Sequence, residues 1–130
     1  MTYLIDSDVL VSYLEGDRDA VTLINGLMPA GIAISIVTYM EAFQGVLRSS
    51  NPVSRELRHA EVVHSMSVLP STESTARSCA RLRHQLTIDG KTMRDRALDL
   101  MIAATAIEHN LTLVTRNLAD YGDIPGLQVN

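Results

Sequence analysis

At 130 residues, 46% hydrophobic and 20% charged, the chain has the size and composition of one compact globular domain spanning residues 1–130, with no room for a second. It can bury about two thirds of the surface its unfolded form exposes, which excludes a need for disulfides or a structural metal merely to stay folded. A formal net charge of −4 weighs against indiscriminate nucleic-acid binding, yet ten of the eleven basic residues are Arg, so a local guanidinium surface can coexist with a concentrated acidic site.

Residues 3–5 are a short apolar run that stops at Asp6-Ser7-Asp8, and Val9, Leu10, Tyr13 and Leu14 then recur at helical spacing. The pattern predicts strand, turn, helix. Gly16-Asp17 breaks that helix, and a second short one follows through Val21, Ile24 and Leu27 to Pro29. Residues 31–37 (GIAISIV) are β-branched and compact, a buried strand, and a helical stripe begins at Thr38 and fades at Ser49-Ser50. Pro52 suits the first turn of a helix running to about Ser65, before a short strand over 66–69. Ser71 or Thr72 caps a long helix that ends at Asp89-Gly90 and places Arg77 and Arg81 on one face.

Residues 91–96 read as a polar loop, and 98–109 (LDLMIAATAIEH), apolar nearly all round, as a helix buried in the domain centre with Asn110 closing it. A strand over 111–114, a polar loop over 115–123 and an edge strand over 126–129 complete the chain. The lone Cys79 points to a reducing compartment and a buried filler. No signal-like leader or membrane-length apolar stretch is present, so the expectation is a cytoplasmic protein with no membrane association.

Strands alternating with helices imply a three-layer α/β/α fold on a central parallel sheet of four to five strands. Ligands in such sheets gather beyond the carboxyl ends of the strands. Asp6 follows the first strand, Glu41 lies early in the helix after the second, and Asp99 opens the helix that precedes the last parallel strand. Asn117 and Asp120 follow that strand, so residues distant in sequence converge on one rim. Carboxylates so crowded repel one another unless a cation sits among them. An oxygen-only donor set suits Mg2+ or Mn2+, which can orient a phosphodiester and acidify water.

The segments LIDSDVLVSYL, SIVTYMEAFQGVL and ALDLMIAATAIEHNLTLVTRNLADYGDIPGL resemble the successive motifs of PIN-domain proteins, especially the VapC toxins of toxin–antitoxin pairs. The resemblance places the family's metal-site acids on Asp6, Glu41 and Asp99, with Asp120 as the fourth and Thr115 and Asn117 as orienting polar groups. Two positions depart from the pattern: Asp8 stands where Asn is common and Tyr121 where Phe is usual. Asp8 adds charge or a metal contact. The resemblance implies a metal-dependent RNA endonuclease, a homodimer and a cognate antitoxin that blocks the site.

Singly, most of these residues have plainer readings. Asp6, Ser7 and Asp8 make a natural helix cap, Glu41 an ordinary surface acid, and Asn117 and Asp120 turn residues. Asp99 is harder to dismiss, because its neighbours on either side are apolar. Arg94, Arg96 and Arg116 are the candidates for RNA phosphate, whereas Arg77 and Arg81 read as a solvated face. The four histidines lack metal-binding spacing and read as structural or surface residues. Two other functions compete. Asp6-Ser7-Asp8 also resembles the DxD of aspartyl-phosphate phosphatases, although the only Lys, Lys91, falls in a loop; the other alternative is a PIN-like module that binds RNA or a partner without cutting.

Overall fold

In a computed structural model that describes residues 1–130, β1 (Tyr3–Ile5) leads through α1 (Ser7–Leu14), α2 (Arg18–Leu27) and a 3-10 turn (Met28–Ala30) to β2 (Ile32–Ser35). α3 (Ile36–Arg48) and α4 (Pro52–His64) carry the chain to β3 (Ser67–Leu69). α5 (Glu73–Ile88) and α6 (Ala97–Glu108) then return it to β4 (Thr112–Val114), and α7 (Leu118–Tyr121) follows. The strands pair in parallel in the order β3-β2-β1-β4.

Alternation along the strands builds the expected three layers. Leu4, Ala33 and Leu113 meet Leu82 and Leu86 of α5 and Leu100 and Ala104 of α6 on one side of the sheet. Ile5, Ile34 and Val114 meet Val9 and Leu10 of α1, Ile24 of α2 and Val62 of α4 on the other. Cys79 is a buried free thiol within the first of these clusters. His59 is buried too, edge-on to the rings of Tyr39 and Phe43, as befits a structural residue. No helix is long and apolar enough to cross a membrane.

The structure corrects three boundaries. Helix α3 starts at Ile36, two residues early, because Ser35 caps it: its hydroxyl accepts the Thr38 amide at 3.0 Å, so Ile36 and Val37 are helical despite their β-branched chains. The expected loop over 115–123 contains α7, which turns Tyr121 into the core. The expected edge strand over 126–129 is reduced to one parallel bridge, Leu113 with Val129, because Gly126, at φ +80°, turns the chain just before it meets β4. Asn110 adopts φ +54°, just past α6, where a helix commonly ends in the left-handed region.

Candidate active site at the carboxyl edge of the sheet

The chain steps outward from β1 to β2 to β3 and then crosses back to lay β4 on the opposite side of β1. The carboxyl ends of β1 and β4 therefore flank the point where the direction of winding reverses, the usual ligand crevice of an open α/β sheet. Asp6 immediately follows β1 and Thr115 immediately follows β4. The Asp6 amide donates to the Val114 carbonyl at 2.9 Å, which extends the strand pairing to the rim. Both oxygens of the Asp6 carboxylate, itself only 5% exposed, are engaged. Oδ2 accepts from the Thr115 hydroxyl at 2.7 Å; Oδ1 accepts from the Ser7 amide at 2.8 Å and the Tyr121 hydroxyl at 3.0 Å. A buried carboxylate is thus satisfied by three donors from three separate segments.

Glu41 reaches the same rim from α3. The Ser7 hydroxyl donates to Glu41 Oε1 at 2.6 Å and lies 3.2 Å from Thr38 Oγ1, which in turn contacts the Ser35 hydroxyl. Asp99, in the first turn of α6, lies with Oδ1 3.3 Å from the Tyr121 hydroxyl. Burial, followed by the charge of Asp6, pushes the Asp99 carboxyl above its ordinary range; Asp120 and Glu41 add to the push and Tyr121 partly offsets it. Burial and then Asp6 raise Asp8 in the same way. Tyr121 is itself raised, by burial and then by the charges of Asp6 and Asp99, so the phenol remains a donor. Asp120 lies exposed on α7 and accepts the Asn117 side-chain amide.

Asp6, Asp8, Glu41, Asp99 and Asp120 are therefore brought to one edge, and no ion pair in the molecule involves any of them. Crowded carboxylates without a cationic partner suit a hard divalent ion. No three acidic, His or Cys side chains close into a ready-made cage. Mg2+ tolerates that arrangement, since it keeps several waters and takes only one or two carboxylates directly.

The arginines divide. Arg96 is committed to the protein: its guanidinium forms a two-pronged pair with Asp123 at 2.7 and 2.9 Å, largely out of solvent, and reaches the Asp120 carbonyl at 3.3 Å. So well-sheltered a pair is costly to break, which weighs against the expected phosphate contact. Arg116 pairs with Asp17 at 2.8 Å, but at the surface, where such pairs are weak and readily exchanged. Arg94 is exposed, its only ionic neighbour Asp95 at 3.9 Å. Sequence reasoning passed over Tyr121, Ser7 and Thr38 as part of the site. The signal for Tyr121 was a phenol where the family pattern has Phe; the two hydroxyl residues carried none beyond helix capping.

The PIN-domain family model matches residues 3–120. Ribonuclease VapC5 from Mycobacterium tuberculosis is 34% identical over 116 residues, which cover 88% of this chain and 82% of that protein. Among solved structures, a toxin–antitoxin complex from Klebsiella pneumoniae aligns with a TM-score of 0.79 at 27% identity, over 97% of this chain and 95% of that one. VapBC2 from Rickettsia felis, bound to a DNA fragment from its promoter, aligns with a TM-score of 0.88 over 100% of this chain and 98% of the other; its 23% identity bears on the fold alone.

Proposed function

The chain belongs to the PIN-domain family, and we propose that it is a Mg2+- or Mn2+-dependent endoribonuclease, the toxin of a type II toxin–antitoxin pair, acting as a single domain in the cytoplasm. The observation that carries this reading is the assembly of Asp6, Glu41, Asp99 and Asp120 at the β1/β4 crevice with hydrogen-bond donors but no ion pair. These four acids would hold the cation, with Asp8, Thr115 and Asn117 in support. When bound, such an ion neutralises a scissile phosphodiester and acidifies the attacking water.

The protein's own contribution is to fix its acids in advance. Thr115, Tyr121 and the Ser7 amide lock both oxygens of Asp6, and the Ser7 hydroxyl sets the orientation of Glu41. Asn117 steadies Asp120. Arg94 and Arg116 lie on exposed surface, able to meet the RNA backbone. The phosphatase alternative fares worse. Such phosphatases need a well-placed Lys, and the only one here, Lys91, lies exposed between α5 and α6.

Two partners complete the proposal. A homodimer would cover the apolar residues Ile36, Met40 and Leu47, which α3 leaves exposed. A cognate antitoxin accords with the toxin–antitoxin complexes among the structural relatives. The deciding experiment incubates the pure protein and its Asp6→Asn variant with RNA, in Mg2+ or Mn2+ and again in EDTA. Cleavage by the wild type alone, abolished by EDTA, is expected. Undiminished cleavage by a folded Asp6→Asn variant overturns the assignment; Mn2+-dependent RNA binding without scission favours the non-catalytic module.

A further inference from the structure

We propose that the Tyr121 hydroxyl is a positioning group that couples Asp6 to Asp99 and so prepares the acid rim for its cation. This rests on the metal-site reading above, but the coupling itself is a property of the protein alone. Tyr121 is 2% exposed; its ring packs in the core cluster that includes Leu4, Leu100 and Leu113. Packing of that kind leaves the phenol little freedom, and its oxygen ends 3.0 Å from Asp6 Oδ1 and 3.3 Å from Asp99 Oδ1. One hydroxyl has one proton and here faces two acceptors. Whichever carboxylate it serves, its positive end lies between two negative groups that would otherwise push apart.

Two consequences favour cation binding. The two acids, 93 residues apart in sequence by the difference of their numbers, are held within two hydrogen-bond lengths of each other. One oxygen of Asp99 is also pinned, while Oδ2 makes no hydrogen bond within the protein and stays available. Phe in its place would fill nearly the same volume without supplying the donor, so the contribution of the hydroxyl can be tested apart from that of the ring. Arg96 supports it: by gripping Asp123 and the Asp120 carbonyl, it fastens the segment on either side of Tyr121 to the start of α6.

The test uses Tyr121→Phe, Asp99→Asn and the double variant, each read in two ways. Mn2+ affinity, measured by the paramagnetic signal of the free ion, should fall about tenfold in Tyr121→Phe, as it does when a ligand loses its orienting partner. In chelator, Tyr121→Phe should melt below the wild type, and Asp99→Asn should raise the melting temperature more in the Phe background than in the wild type, because the repulsion it relieves is then unshielded. Mn2+ affinity within twofold of the wild type overturns the proposal, and so does an equal effect of Asp99→Asn in the two backgrounds. If the wild type binds no Mn2+ at all, the metal-site reading fails, and the melting comparison still decides whether Tyr121 couples the two acids.

Discussion

Helix α6 carries an acid at each end, and the two are treated in opposite ways. Asp99 lies in its first turn, where the helix dipole favours negative charge; Glu108 is its last residue, where the dipole opposes it. The dipole alone would hold Asp99 down and push Glu108 up. The molecule does the reverse. Burial and the charge of Asp6 raise the Asp99 carboxyl, whereas the hydroxyls of Ser74 and Thr75 hold Glu108 below its ordinary range, Thr75 donating at 2.7 Å. Neighbouring groups therefore act against the terminal partial charge at both ends. Glu108 is a structural acid whose charge its donors welcome; Asp99 is held where its charge is unwelcome, an arrangement proteins tolerate chiefly at functional sites.

The harshest challenge to that contrast is Asp99→Asn. Metal-dependent RNA cleavage should fall by more than about a hundredfold, beyond the usual effect of losing an outer-shell partner. Metal-free stability should not fall, because Asn keeps the oxygen that accepts from Tyr121 and removes a repelled, half-buried charge. Assayed together, cleavage and thermal melting separate the two roles. A marked loss of melting temperature would make Asp99 a structural acid after all, on a par with Glu108.

A smaller effect is expected from Arg96→Ala, which releases the segment carrying Asp120 and Tyr121 from the start of α6. Its pair with Asp123 is mostly sheltered, so denaturant unfolding should register a loss of about 1.5–3 kcal/mol, the range for hydrogen bonds to charged groups. Cleavage should weaken too, through displaced acids, with little change in the KM for RNA. Unchanged stability combined with a raised KM would return Arg96 to the role of phosphate contact.

The elements that could be read in the sequence are those with local causes. The apolar run before Asp6, the Pro52 helix start and the all-apolar stretch after Asp99 each announce themselves within a few residues. The order of strands and helices then places the acids, because parallel strands put every strand-to-helix turn on the same edge. What stayed hidden depends on pairings across the chain. Arg96 looked free because Asp123, 27 residues later, is met only after α6 and β4 have folded back. Tyr121 read as part of a polar loop, and its role arises only when α7 turns it into the core and Asp6 and Asp99 converge on its hydroxyl. Ser7 looked like part of a cap, yet its side chain turns outward to Glu41. Donor and acceptor types are written in the sequence; the partners are chosen by the fold.

The mildest test lies at the other end of α6. Glu108→Gln keeps the shape and removes the charge that Ser74 and Thr75 favour. Because the folded carboxyl is held below its ordinary value, the stability it supplies is present above the unfolded-state pKa, about 4.3, and is lost as pH falls through the folded value. Wild type and variant should thus differ most near neutral pH and converge in acid. Gln can still accept from both hydroxyls, so the difference in melting temperature should be about 2 °C or less. Cleavage, which Asp99→Asn is expected to cripple, should be untouched. A Glu108→Gln variant that melts normally but no longer cuts RNA would mean that the two ends of α6 do not divide their labour, and that an acid settled in its hydrogen bonds can belong to the chemistry as well.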